Sequence, residues 1–135
     1  MGKQLFTVEQ ANRTLPLVRR IVEDIVVQYR RWQDRVREFE LVSMRSTADR
    51  QDARAQELER EVQALAAEID GFEAELAQLG VEFKAYDVGL VDFPAEVGGR
   101  PAYLCWRLGE PSVQYWHEVD AGYAGRRPIV PRAVA

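Results

Sequence analysis

The residues able to do chemistry crowd into the last third of this 135-residue chain. One stretch, GLVDFPAEVGGRPAYLCWRLGEPSVQYWHEVDAGYAGR, holds the only His (His117), the only Cys (Cys105) and two of the three Trp. An imidazole beside carboxylates is a divalent-metal donor set, suited to Zn, Fe or Mn. Asp92, His117 and Glu118 are the candidate ligands. His117 and Glu118 are neighbours, so in a regular strand they point apart, and joint ligation needs a bend or bulge. The wider polar set of Asp92, Arg100, Arg107, Trp116 and His117 is a candidate site for a small anionic ligand. The competing reading is structural: His117 hydrogen-bonds a carboxylate, Asp92 pairs with Arg107 or Arg100, and Trp116 belongs to the core.

Catalysis has thinner support. His117 can serve as a general base oriented by Asp92, but no residue stands out as a nucleophile. Cys105 lies in the apolar run LCW, where a thiol is ordinarily inert packing. There is no P-loop, no GxGxxG ahead of a helix, no HExxH and no CxxC. Arg126 and Arg127, with Lys84 and Arg100, offer a grip for phosphate, although paired arginines in a tail are ordinarily solvated.

Short strands must position these residues. Gly80 closes the preceding helix in the C′ role. Val81, Phe83 and Ala85 then alternate with polar or amphipathic residues. Val88–Phe93 is a second strand candidate, stopped by Pro94; Ala102–Arg107 is a third and Val113–Glu118 a fourth. The linkers are short and rich in Gly and Pro, which favours an antiparallel meander. Period-two alternation puts Leu90 with Asp92, Tyr103 with Cys105 and Arg107, and Val113 with Tyr115 and His117.

A helical frame precedes them. Leu15, Val18, Val22, Ile25, Tyr29, Trp32, Val36 and Phe39 step by three and four, as do Leu58, Val62, Leu65, Ile69, Phe72, Leu76 and Leu79. Between them MRSTADRQ carries Ser46, Thr47 and Asp49, residues of turns and caps. Two helices so joined lie antiparallel. Thr7 and Gln10 form a capping-box pattern. Pro16 predicts a break: a short turn over 8–13, then a long helix capped by Thr14 and running to about Met44. Ile21, Val26 and Val27 widen the apolar face of that helix beyond one seam, so it needs a second neighbour, either the C-terminal part or another chain. The first helix is rich in Arg and the second in Glu; exposed pairs of this kind contribute ~0–1 kcal/mol each.

The fold class expected is α+β: a long antiparallel, coiled-coil-like helical hairpin followed by a small antiparallel sheet of three to four strands. As one domain it divides into a hairpin over 1–80, a β module over 81–125 and a flexible tail over 126–135. A net charge of -4 argues against general attraction to nucleic acid or anionic lipid. No apolar run reaches the ~20 residues that span a bilayer. A lone Cys leaves no internal disulfide and fits a reducing cytoplasm.

The chain resembles an uncharacterised, mainly bacterial family, number 2203 of the domains of unknown function. FTVEQANRTLPLVRRIVEDI near the start and the Gly- and Trp-rich stretch above carry the resemblance, GLVDFP, LCWRLGE and WHE most specifically. It implies that Gly89, Asp92, Phe93, Pro94, Arg100, Cys105, Trp106, Gly109, Glu110, Trp116 and His117 belong to the family signature, and that the hairpin is mainly scaffold. It carries no activity. The function expected is a small self-associating cytoplasmic protein, a homo-oligomer through its hairpin, whose β module binds a metal ion or small anion. The alternatives are a hairpin assembly protein without ligand and, least favoured, a metal-dependent enzyme.

Overall fold

The computed structural model describes residues 4–46 and 53–130. Thr47 and Asp49 of the expected turn lie outside them. Helix α1 (Val8–Ser43) and helix α2 (Ala53–Gln78) are followed by five strands: β1 (Glu82–Ala85), β2 (Leu90–Val97), β3 (Arg100–Arg107), β4 (Tyr115–Glu118) and β5 (Arg127–Pro128). The sheet is an antiparallel meander in the order β1-β2-β3-β4-β5. The class is α+β, with one strand more than the three to four expected. The addition is β5, which pairs Trp116 with Arg127 and Tyr115 with Pro128. The sheet thus runs past the expected boundary at 125, and residues 131–135 lie outside the described residues.

α1 begins where the capping box places it. Thr7 Oγ1 accepts from the Gln10 amide at 3.1 Å, and Gln10 Oε1 accepts from the Thr7 amide at 3.0 Å. It then runs unbroken through Pro16, so the expected break at Thr14 does not occur. An interior proline costs ~3 kcal/mol. Ala11, Leu15, Val18 and Val22 form a continuous buried face across that point. Burying Leu15 and Val18 alone is worth ~1.5–3 kcal/mol each, enough to outweigh the defect. Asn12 adds a strut: its Oδ1 accepts from the Val113 amide at 2.7 Å, fastening α1 to the segment before β4.

The helices run antiparallel, since Arg35 meets Glu61 at 3.4 Å and Glu38 meets Arg54 at 3.1 Å. The sheet covers only the first half of α1. Ile21 and Val26 are buried in the core shared with Val91, Phe93, Ala95, Leu104 and Trp106. The second neighbour that the wide apolar face needs is therefore the sheet, although Val27 stays 47% exposed. After Val26 no residue of α1 is fully buried.

Gly89 sets how closely helix and sheet approach. It has φ +70°, and a Cβ there would lie 2.8 Å from Val22 Cγ1 and 2.9 Å from Leu108 Cβ. Pro94 does not stop β2, which continues to Val97. The N–H and C=O of one strand residue point the same way. Pro94 O accepts from the Phe6 amide at 2.7 Å, on the side where β1 has already ended at Asp92. The missing donor therefore breaks no ladder bond.

Gly89→Ala combines left-handed strain of ~1–2 kcal/mol with overpacking of ~1–3 kcal/mol, so urea unfolding should show a loss of roughly 2–5 kcal/mol. Ile25→Ala, at a fully buried position, should lose ~2–5 kcal/mol. A near-zero loss at either site would contradict this packing.

Candidate functional site

Alternation divides the sheet. Val91, Phe93, Leu104 and Trp106 face the helices and join the core. Asp92, Cys105 and His117 face the other way, out of the helix–sheet core. Register brings them together: Asp92 lies opposite Cys105, Cys105 opposite Tyr115, and Tyr103 opposite His117. One donor atom from each of Asp92, Cys105 and His117 falls within 4.8 Å of the others. All three are buried, at 4%, 0% and 2% exposure.

The hydrogen bonds assign the imidazole. His117 Nδ1 lies 2.7 Å from the Glu118 carbonyl oxygen. A carbonyl only accepts, so Nδ1 carries a proton and donates. His117 Nε2 then faces Asp92 Oδ1 at 3.0 Å. Two lone pairs cannot meet at that distance, so a proton or a cation has to lie between them. Cys105 completes the group. Burial, with the Asp92 carboxylate next in effect, pushes its thiol from an ordinary value near 9 up to about 12. The thiol stays protonated and donates toward Asp92.

A clasp closes over this face. The Arg126 guanidinium sits 4.0 Å from the Tyr115 ring centre and 4.7 Å from that of Tyr123. Its Nη2 donates to both oxygens of Glu110, at 2.7 and 2.9 Å. Glu110 Oε1 also accepts from the Arg107 amide at 2.8 Å, and Arg107 Nη1 donates to the Tyr123 hydroxyl at 3.1 Å. The Ile129 amide donates to Gln114 O at 2.9 Å, tying down the strand that follows. Arg126 Nε is buried with no hydrogen-bond partner, an unsatisfied donor of a kind that costs ~1–3 kcal/mol. On the other flank the Tyr103 ring packs 5.5 Å from His117, and Lys84 Nζ lies 5.7 Å from the Tyr103 ring centre.

Of the residues singled out from sequence, the structure brings Asp92 and His117 together and not the others. Glu118 points to the opposite face and bonds Arg100 at 2.9 Å. The bend that joint ligation by His117 and Glu118 requires is absent, because β4 stays in register from Tyr115 to Glu118. Arg100 and Arg107 stand at the two ends of β3, ~23 Å apart at ~3.3 Å per residue, and cannot grip one anion. Trp116 packs against the helix-facing core, with Arg127 5.3 Å from its ring centre. Lys84 is tied to Glu82 at 3.0 Å. Three participants were not singled out: Cys105 as a member of the cluster, and Glu110 and Arg126 as its clasp. Alternation already grouped Cys105 with Tyr103 on one face; the apolar neighbours Leu104 and Trp106 obscured that they occupy the other.

A helical hairpin laid on one face of a five-strand meander, with a sealed cluster of three metal-capable side chains, Asp92, Cys105 and His117, on the other, defines a small α+β protein. The chain belongs to the family described as uncharacterized conserved protein (DUF2203), whose model matches residues 4–129. No curated protein and no solved structure matches it. Among the described residues no helix is long and apolar enough to cross a membrane.

Cys105 should resist aromatic disulfide reagents at pH 8 in the folded protein and react at once in denaturant. Because its folded value is raised, the proton is held more tightly in the native state. Stability should therefore fall as pH climbs from about 9 towards 12. Rapid labelling of native protein would contradict the burial.

Proposed function

We propose that this protein is a small metal-binding module that holds one divalent cation, zinc first, on Asp92, Cys105 and His117. The observation that carries the reading is the His117 hydrogen bond to the Glu118 carbonyl. A ligating imidazole ordinarily donates its other N–H to a carbonyl or carboxylate, which fixes the ring and its tautomer. Here that leaves Nε2 as the metal-facing nitrogen, beside Asp92 Oδ1 and near Cys105 Sγ. Tetrahedral ligands at zinc distances lie about 3.4 Å apart, so the 3.0 Å contact of Asp92 with His117 needs to open by only a few tenths of an ångström. A thiolate in the set favours zinc over manganese.

Charge supports the exchange. With the imidazole protonated, the carboxylate ionised and the thiol neutral, the cluster has zero net charge. With a divalent cation, a neutral imidazole, a carboxylate and a thiolate it again has zero net charge. Loading therefore releases two protons and places no new net charge in a buried site. The unsatisfied Arg126 Nε–H would then lie in the field of a thiolate instead of a thiol. A lone thiol ligand also suits a reducing compartment such as the cytoplasm. Turnover at these residues would require substrate to reach ligands that are at most 4% exposed, so binding is the stronger reading.

Protein loaded with zinc should carry one equivalent by elemental analysis and release two protons per metal at pH 7. The cobalt form should show a thiolate charge-transfer band that Cys105→Ser removes. Asp92→Asn and His117→Gln should each weaken binding at least about tenfold. Loading at a hundred times Kd should stabilise the fold by ~2.7 kcal/mol. Absence of stoichiometric metal under these conditions would leave the cluster as a hydrogen-bonded structural group.

Self-association through the hairpin is a second proposal. It is favoured by the far half of α1, where Val36, Phe39 and Val42 remain only half-buried beside α2. A second hairpin laid along this end would complete a four-helix bundle. Light scattering after size exclusion should give a dimer mass at micromolar concentration, and Phe39→Glu should return a folded monomer. A strict monomer in the unmodified chain would overturn it.

A further inference from the structure

A concavity lies where the hairpin meets the turn between β1 and β2. Its volume is about 190 Å³, and Tyr29, Trp32, Ala66, Ile69, Asp70 and Tyr86 line it. Pockets that enclose whole ligands run to ~300–1,000 Å³, so this one has room for a head group or the end of a side chain. Its aromatic wall is built from near-parallel pairs. Tyr29 and Tyr86 stack with ring centres 4.9 Å apart, and Tyr29 and Trp32 at 5.8 Å. Ile69 is buried and gives an apolar floor.

The one charged side chain that lines it is acidic. Asp70 lines the pocket from α2, and Glu73 follows one turn later. Glu73 Oε2 is occupied, accepting from the Tyr86 hydroxyl at 2.7 Å. That bond fixes the Tyr86 ring and pushes its hydroxyl up to about 12, so it remains a neutral phenol. Asp70 has no hydrogen-bond or ion-pair partner among the described residues. No Lys, Arg or His lines the cavity. Aromatic faces attract cations through the ring quadrupole, most strongly for Trp. An unbalanced carboxylate at the rim adds to the same preference.

We propose that this pocket, formed by Tyr29, Trp32 and Tyr86 with Asp70 at its rim, binds an alkylated ammonium group. Apolar methyl or methylene surface packs on Ile69 and the rings, while the positive charge lies against the rings and the Asp70 carboxylate. A compact inorganic cation would leave the apolar floor unused, and a neutral apolar group would gain nothing from the Asp70 carboxylate. The site is separate from the Asp92–Cys105–His117 cluster and does not depend on it.

Titration with choline, followed through the indole N–H resonances of labelled protein, tests this. The Trp32 signal should move saturably. The neutral isostere 3,3-dimethylbutan-1-ol should bind at least about tenfold more weakly. Asp70→Asn, at an exposed position, should weaken choline at least about threefold without changing the folded spectrum, and Trp32→Leu, followed through the backbone amide signals of Ile69 and Asp70, should abolish binding. Acetylated trimethyllysine amide distinguishes a side chain from a free small molecule as the source: tighter binding than choline assigns a side chain, weaker binding a free ligand. No saturable shift with either cation, equal binding of the neutral isostere, or no effect of Asp70→Asn would overturn the proposal.

Discussion

The constraint on which the molecule depends is the seating of α1 against the β1–β2 turn at Gly89. Val22 and Val26 approach where any side chain would collide, so the turn backbone meets the helix side chains directly. That closeness lets Val91, Phe93, Leu104 and Trp106 share one core with Val18, Val22 and Ile25. It also commits the sheet: where it meets the helices one face becomes apolar, and Asp92, Cys105 and His117 go to the other, while Glu118 and Arg100 pair at the open end of the first. Asp92 follows Val91 and precedes Phe93, Cys105 lies between Leu104 and Trp106, and His117 follows Trp116. Each functional side chain is placed by the apolar neighbour that points the opposite way.

An outward-facing sheet surface would ordinarily be wet. This one is sealed by a device made almost wholly of chain local to its own edge. The turn after β3 supplies Glu110, the segment after β4 supplies Tyr123 and Arg126, and β5 keeps that segment in place. Arg126 does two things at once: its flat guanidinium fills the space between two tyrosine rings, and its charge satisfies Glu110. Lysine could provide the charge without the flat face. Sealing has an electrostatic consequence, because each interaction inside the cluster is strengthened by the loss of water while each unpaired group becomes costly. The Asp92–His117 pair and the raised Cys105 thiol both follow from that.

The frame was largely legible. Heptad-like spacing marks both helices, Thr7 and Gln10 mark the start of α1, and Gly and Pro mark most of the turns. The departures have physical causes. Pro16 reads as a break because propensity is local, whereas the buried face crossing it is not. Pro94 reads as a stop because its cost depends on which side of the strand has a neighbour, and a sequence does not state that. β5 was invisible because a two-residue strand has no period. In the site, alternation already gave the right faces for Asp92, Cys105 and His117. Missing was the register of three strands against one another, which decides that these residues are neighbours while Arg100 and Arg107 stand at opposite ends of β3. Register is set by turn geometry and packing, so the Glu118 assignment rested on adjacency in sequence alone.

A buried polar cluster is an inefficient way to stabilise a sheet. Well-packed apolar residues of similar size often do as well as a buried ion pair or better. Face geometry alone therefore does not account for Asp, Cys and His at three registered positions, since the same clasp could close over Val, Ala and Leu. The proposed cation-binding role would account for them: the three donors differ in softness, lie within 4.8 Å of one another, and would exchange two protons for a divalent ion without altering the charge that the seal encloses. The unsatisfied Arg126 Nε points the same way. A donor left without a partner, on a guanidinium that interacts electrostatically with the Cys105 sulfur, is a small loss of stability in one state of the cluster. It becomes a favourable charge interaction in a state where that sulfur is anionic.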